Sequence, residues 1–186
     1  MTLPTGEPSV EQIQSLAAET STAFGLDPDQ QMDQGLAETT VMLLTMGAAS
    51  AAGGSTYTAA GFFRSPDKTD RPIMALINCF YLETERQSVH TAIAGLEEIH
   101  RHSGACSTIV DLPAGRAVIT HTRETNPLLL NDGSVDVVQH ASTAWIPNLA
   151  GAGVASVAVT SNNTEDWSHV ADMATGVFET FERGGD

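Results

Sequence analysis

Six histidines are the residues of this chain best suited to chemistry: His90, His100, His102, His121, His140 and His169. Imidazole ligates metals and moves protons near neutral pH, so the spacing of these residues decides what they can share. His100 and His102 are two apart in a stretch that reads as helix, which turns their side chains about 200° apart. Shared ligation from one helix calls for an i, i+4 pair instead. His121 and His140 can approach each other if their strands pair, yet spacing specifies no third ligand, and structural metal sites use four, often with cysteine. No metal site and no cofactor is expected, and the histidines read as surface and helix-end residues.

Nucleophiles fare no better. The chain contains no Gly-x-Ser-x-Gly elbow, and Ser156 falls inside a strand-like run. Cys106 follows a helix end, where backbone carbonyls disfavour a thiolate. Cys79 lies in the apolar run Ile73–Leu82 and reads as a small buried hydrophobe. Two cysteines do not make a disulfide framework. The glycine-rich segment Gly47–Gly54 lacks the lysine of a phosphate loop. Asn162-Asn163-Thr164 reads as the cap of the last helix rather than as a glycosylation site. No catalytic residue is assigned. The remaining candidates are apolar: Leu128, Leu129 and Leu130 follow Asn126-Pro127 in a stretch that reads as a loop, and Trp145 stands near a strand end. Tryptophan is enriched at binding hot spots, and three adjacent leucines either tuck inward or offer a patch to a partner.

The bulk numbers narrow the partners. Against 8 basic residues the chain sets 23 acidic ones, a formal net charge of −15. Such a field repels phosphate backbones and anionic headgroups, and the basic residues are scattered rather than striped, so neither nucleic acid nor membrane is expected. At 186 residues, 41 % of them hydrophobic and 17 % charged, the composition is that of a globular chain able to bury about 70 % of its unfolded surface. The amino-terminal residues have no basic and apolar leader pattern, and the longest apolar stretch, Val41–Gly54, is too short for a bilayer. A cytoplasmic location is the expectation.

The elements that must position these residues follow from periodicity. Ser9-Val10-Glu11-Gln12 forms a capping box for a helix over 9–22, broken by Asp27-Pro28-Asp29. Residues 36–46 are ambiguous: Leu43, Leu44 and the following alanines would suit a helix, but Thr39, Thr40, Val41 and Thr45 are β-branched, so the segment reads as a strand, and 48–55 reads as a loop. Strands are expected over 56–64 and 72–83 around a solvated hairpin loop. A helix over 88–102 carries Val89, Ala92, Ile93, Leu96 and Ile99 on one stripe. Four strands follow, over 107–112, 116–123, 135–146 and 153–160, with Asn131-Asp132-Gly133 as the strongest turn signal. A helix over about 165–183 closes the chain. Short turns between strands imply antiparallel pairing. The expected fold is α+β: one mostly antiparallel twisted sheet flanked by helices, an α/β/α sandwich. Residues 1–35 would form an amino-terminal helix and loop packed on a domain spanning 36–186, a single domain overall.

From about Thr56 to Phe181 the pattern resembles the PsbP and Mog group of α/β/α sandwiches, including small actinobacterial members. The resemblance rests on the helix around Gly95-Leu96 leading into Ile109–Val118. It rests also on Trp145-Ile146-Pro147, the strand Val157–Ser161 and the helix Asp166–Phe181. It implies a binding or assembly role without enzymatic chemistry, and it carries over no site residue.

The expected function is therefore a non-enzymatic interaction or assembly module that docks a protein partner or its own copy through Leu128, Leu129, Leu130 and Trp145. The alternative is an enzyme or small-molecule binder with a pocket in the sheet, lined by His121, His140 and Cys79.

Overall fold

The computed structural model describes residues 1–4, 7–26, 34–130 and 133–182. The breaker Asp27-Pro28-Asp29, the turn residues Asn131 and Asp132, and Arg183 lie outside the described residues. The fold class is α+β, with 37 % helix and 39 % strand and every assigned strand pairing antiparallel. No helix is long and apolar enough to cross a membrane among the described residues. Contacts group the chain into two compact units, Met1–Phe80 and Tyr81–Asp186.

The first unit contains β1 (Thr2–Leu3), α1 (Val10–Ala23), α2 (Gln34–Ala52), β2 (Ser55–Arg64) and most of β3 (Pro72–Leu82). The capping box that opens α1 is formed as expected: Gln12 N donates to Ser9 Oγ at 3.2 Å and Ser9 N donates to Gln12 Oε1 at 2.9 Å. The expected strand over 36–46 and the loop over 48–55 are instead one helix, α2. Its buried residues Leu36, Thr40, Leu43 and Gly47 recur at helical spacing. The β-branched threonines are accommodated because Thr39, Thr40 and Thr45 each donate a hydroxyl bond of 2.8 Å to the carbonyl four residues back. That local bond holds the side chain in a rotamer the helix tolerates.

The order β1-β2-β3 is antiparallel, and the β2–β3 hairpin loop is closed by Ser65, whose N–H donates to Arg71 O at 3.0 Å. Leu3, Leu16, Leu43 and Ala60 form the core, with Met1, Leu44, Met46, Phe62, Met74 and Leu76 packed against it. Gly47 lets α2 approach β1 closely, since a Cβ there would lie 2.5 Å from Pro4 O.

The second unit contains α3 (Val89–His102), β4 (Cys106–Leu112), β5 (Gly115–Leu130), β6 (Gly133–Pro147), β7 (Val154–Ser161) and α4 (Trp167–Thr180). Its strands form an antiparallel meander, β7-β6-β5-β4. Ser88 caps α3 by accepting from Thr91 N at 3.1 Å. Ile99, expected on the apolar stripe of α3, is 64 % exposed. Val89, Ile93, Leu96 and His100 keep the 3.6-residue period, so Ile99 is turned about 100° off that face and His100 takes its place. The N-cap of α4 falls at Asp166, not at Asn162–Thr164; Val170, Ala174 and Phe178 then bury one stripe of that helix.

The two helices cover opposite faces of β6. His100 of α3 meets Trp145, while Trp167 of α4 stacks on His140. Residues 140 and 145 are an odd number apart, so the pleat sends their side chains to opposite sides. This unit is thus itself an α/β/α sandwich.

One substitution tests the close approach of α2 to β1. Glycine to alanine inside a helix ordinarily gains roughly 0.5–1 kcal/mol. Gly47→Ala is expected to reverse that sign and to cost about 1–3 kcal/mol in chemical denaturation, because β1 must shift away from the added methyl.

Candidate functional site

The register of β5 against β6 runs from Val118↔Trp145 to Leu130↔Gly133. The flanking strands stop short of that length. The last pair made by β4 is Cys106↔His121, and the last made by β7 is Ser161↔His140. Among the described residues, 122–130 and 133–139 therefore pair only with each other and extend past the four-stranded sheet as a two-stranded ribbon. Residues 123–127 are all exposed, as are Ser134, Val135, Asp136 and Gln139, with Val135 at 52 %. Asn126, Pro127, Val137 and Gln139 join Asn162 around an open cleft of about 280 Å³ at the base of the ribbon.

Leu128, Leu129 and Leu130 thus stand in the extended backbone of β5 and not in a loop, as Pro127 had suggested. Proline lacks a donor, but a strand with no neighbour on one side has a vacant bonding edge where that loss is tolerated. The side chains of these leucines lie outside the described residues; their backbone register sets Leu128 beside Val135 and Leu129 beside Ser134.

Trp145 does not join the leucines. It lies ten residues along β6 from Val135, about 33 Å in extended chain. It is half-buried, its Nε1 donates to Thr120 Oγ1 at 3.0 Å, and its ring lies 5.1 Å from that of His100. A tryptophan with its donor satisfied and a ring neighbour is internal packing.

The other face of β6 carries His140 and Ser142, and because His121 lies opposite Ser142, the register makes His121 and His140 diagonal neighbours on that face, as their pairing strands allow. His140 is 8 % exposed and stacks on Trp167 with ring centroids 5.0 Å apart. Its Nε2 and Ser142 Oγ are buried without a hydrogen-bond partner among the described residues. Burial lowers the His140 pKa below its ordinary 6.5, and the positive charge of Arg123, its register partner on β5, lowers it further. Burial lowers His100 in the same direction. His121 pairs with Cys106 on one side and Ser142 on the other, so Cys106, His121 and Ser142 form a row across one face. No hydrogen bond joins Cys106 to His121 among the described residues, and both are exposed. Spacing gave no sign of this row, because only the register creates it. Cys106 is the first residue of β4, four residues after α3 ends at His102, and both cysteines are free thiols. Cys79 belongs to the first unit, where burial pushes its thiol pKa up.

Two outcomes follow from these environments. His140 resists protonation when folded, so the unfolded chain binds more protons below pH 6.5 and stability falls as pH drops through that value. Unfolding free energy is expected to decline from pH 7.5 to 5, and His140→Leu should flatten that slope. Iodoacetamide should label Cys106 in the native protein and leave Cys79 largely unmodified until denaturant is added, as mass spectrometry would show.

Compared with known protein families, with curated proteins and with solved structures, the chain matches none.

Proposed function

We propose that this chain is a non-enzymatic interaction module whose β5–β6 ribbon docks a protein partner. The observation that supports this reading is the extension of the ribbon beyond both flanking strands, with Pro127 and Val135 exposed on it. A two-stranded ribbon alone is only marginally stable in water, so packing against another surface stabilises it. The amides of Asn126, Gln139 and Asn162 beside the cleft offer donors and acceptors for a polar rim around an apolar contact. The partner is a basic protein surface with an apolar slot. A net charge of −15 opposes association with a second copy and speeds encounter with a cationic partner. The same charge argues against nucleic acid and anionic membrane, and a cytoplasmic location belongs to the same proposal. So does the PsbP and Mog resemblance, which implies an assembly role.

The test is retention of a copurifying basic protein by immobilised wild-type chain and by Leu129→Glu. A species held by the wild type, eluted by raised salt and bound at least tenfold more weakly by Leu129→Glu is the expected result. Equal retention by both chains, with unchanged thermal unfolding, would remove the ribbon as the contact. Light scattering should show the wild-type chain as a monomer.

A further inference from the structure

The first unit carries a different vacancy. Strand β1 is only two residues long and pairs with Ala59 and Thr58 of β2. Met1 prolongs its track: the Met1 ammonium donates to Ala60 O at 2.9 Å, and Ala60 N donates to Met1 O at 2.9 Å. Main-chain groups of an antiparallel strand alternate in direction. The N–H and C=O of Phe62 and Arg64 therefore point the same way as those of Ala60, and no strand among the described residues pairs with them on that side.

Two clefts flank this open stretch. One, of about 530 Å³, lies between α1 and β2 and is bordered by Met1, Glu19, Ala23, Gly61 and Phe62. The other, of about 220 Å³, is bordered by Phe24, Phe63, Arg64, Asp70 and Pro72, and Phe62 borders it as well. Phe24 is 39 % exposed, and its ring lies 5.3 Å from that of Phe62. Unpaired edge groups beside apolar recesses are the requirements for strand addition, in which main-chain bonds supply affinity and pockets select alternate side chains.

We infer that the Gly61–Arg64 edge of β2 takes up an extended peptide segment of a partner protein as an added strand, one that alternates apolar and basic side chains. The apolar side chains enter the clefts beside Phe62 and Phe63, and the basic ones, which alternation turns to the other face, are drawn by the chain's net charge of −15. A second copy is the poorer occupant. Two chains that each carry a net charge of −15 repel. This site is separate from the ribbon and stands without it.

The probe is an acetylated and amidated hexapeptide alternating leucine and lysine, titrated into the ¹⁵N-labelled chain. Its control is the same peptide N-methylated at alternate amides, equal in charge but unable to donate along one edge. Saturable binding is expected for the plain peptide, with amide exchange at Phe62 and Arg64 slowed at least tenfold. The methylated peptide should bind at least tenfold more weakly. Arg64→Pro deletes an outward N–H while sparing every β2–β3 bond, so it should weaken binding similarly, whereas Arg64→Ala should bind as tightly or more tightly. Should Arg64→Pro fail to fold, the two peptides on the wild-type chain decide the matter. No saturable binding at millimolar peptide overturns the inference, as does equal binding of the methylated peptide or by folded Arg64→Pro. Protection of the same amides that rises with protein concentration alone would assign the edge to a second copy and overturn it too.

Discussion

Antiparallel pairing of β5 with β6 is the constraint on which the second unit depends. Because the register continues without a break from Val118↔Trp145 to Leu130↔Gly133, three features are set at once. Alternation along β6 sends Trp145 to α3 and His140 to α4, so the two helices have rings to meet on opposite sides. The cross-strand partners put Arg123 beside His140, and with it a positive charge that adds to the effect of burial. The surplus length over β4 and β7 becomes the ribbon. None of these is encoded by a local motif; each is a consequence of which residue faces which.

The first unit relies on a different device, the close approach of a helix to a very short strand. Only the missing side chain at Gly47 lets α2 lie against Pro4, and Leu3 is nearly wholly enclosed there. Since β1 covers so little of β2, the remainder of that edge keeps its main-chain groups. Natural sheets usually blunt such edges with charge, proline or brevity. Here Arg64 is charged and exposed, but the aromatic residues beside it are apolar.

What could be read from the residues alone was whatever is decided within a few positions. The Ser9 capping box, the Ser88 start of α3 and the hairpin around residues 65–71 all depend on neighbours three to six residues away. The segment 36–46 was misread because threonine carries a branched Cβ and also a hydroxyl. The branching speaks for a strand, whereas the hydroxyl can bond the preceding turn, which lets a helix accommodate it. The helical spacing of Leu36, Thr40, Leu43 and Gly47, the residues that α2 buries, is the better signal. Residues 126–130 read as a loop, whereas a strand with no neighbour on one side tolerates Pro127. The pairing of Cys106 with His121, the separation of Trp145 from the leucines and the length of the ribbon are set by strand ends far apart in sequence, and no window of residues contains them.

The alternation along β6 also limits how this chain can vary in length. One residue inserted between His140 and Trp145 would place both rings on the same side of the sheet, leaving one helix without its aromatic neighbour. Two inserted residues would restore the order of the faces and only lengthen the strand. Length changes between His140 and Trp145 should therefore be tolerated in pairs, whereas over residues 133–139, where no third strand pairs among the described residues, single-residue changes have less to disrupt.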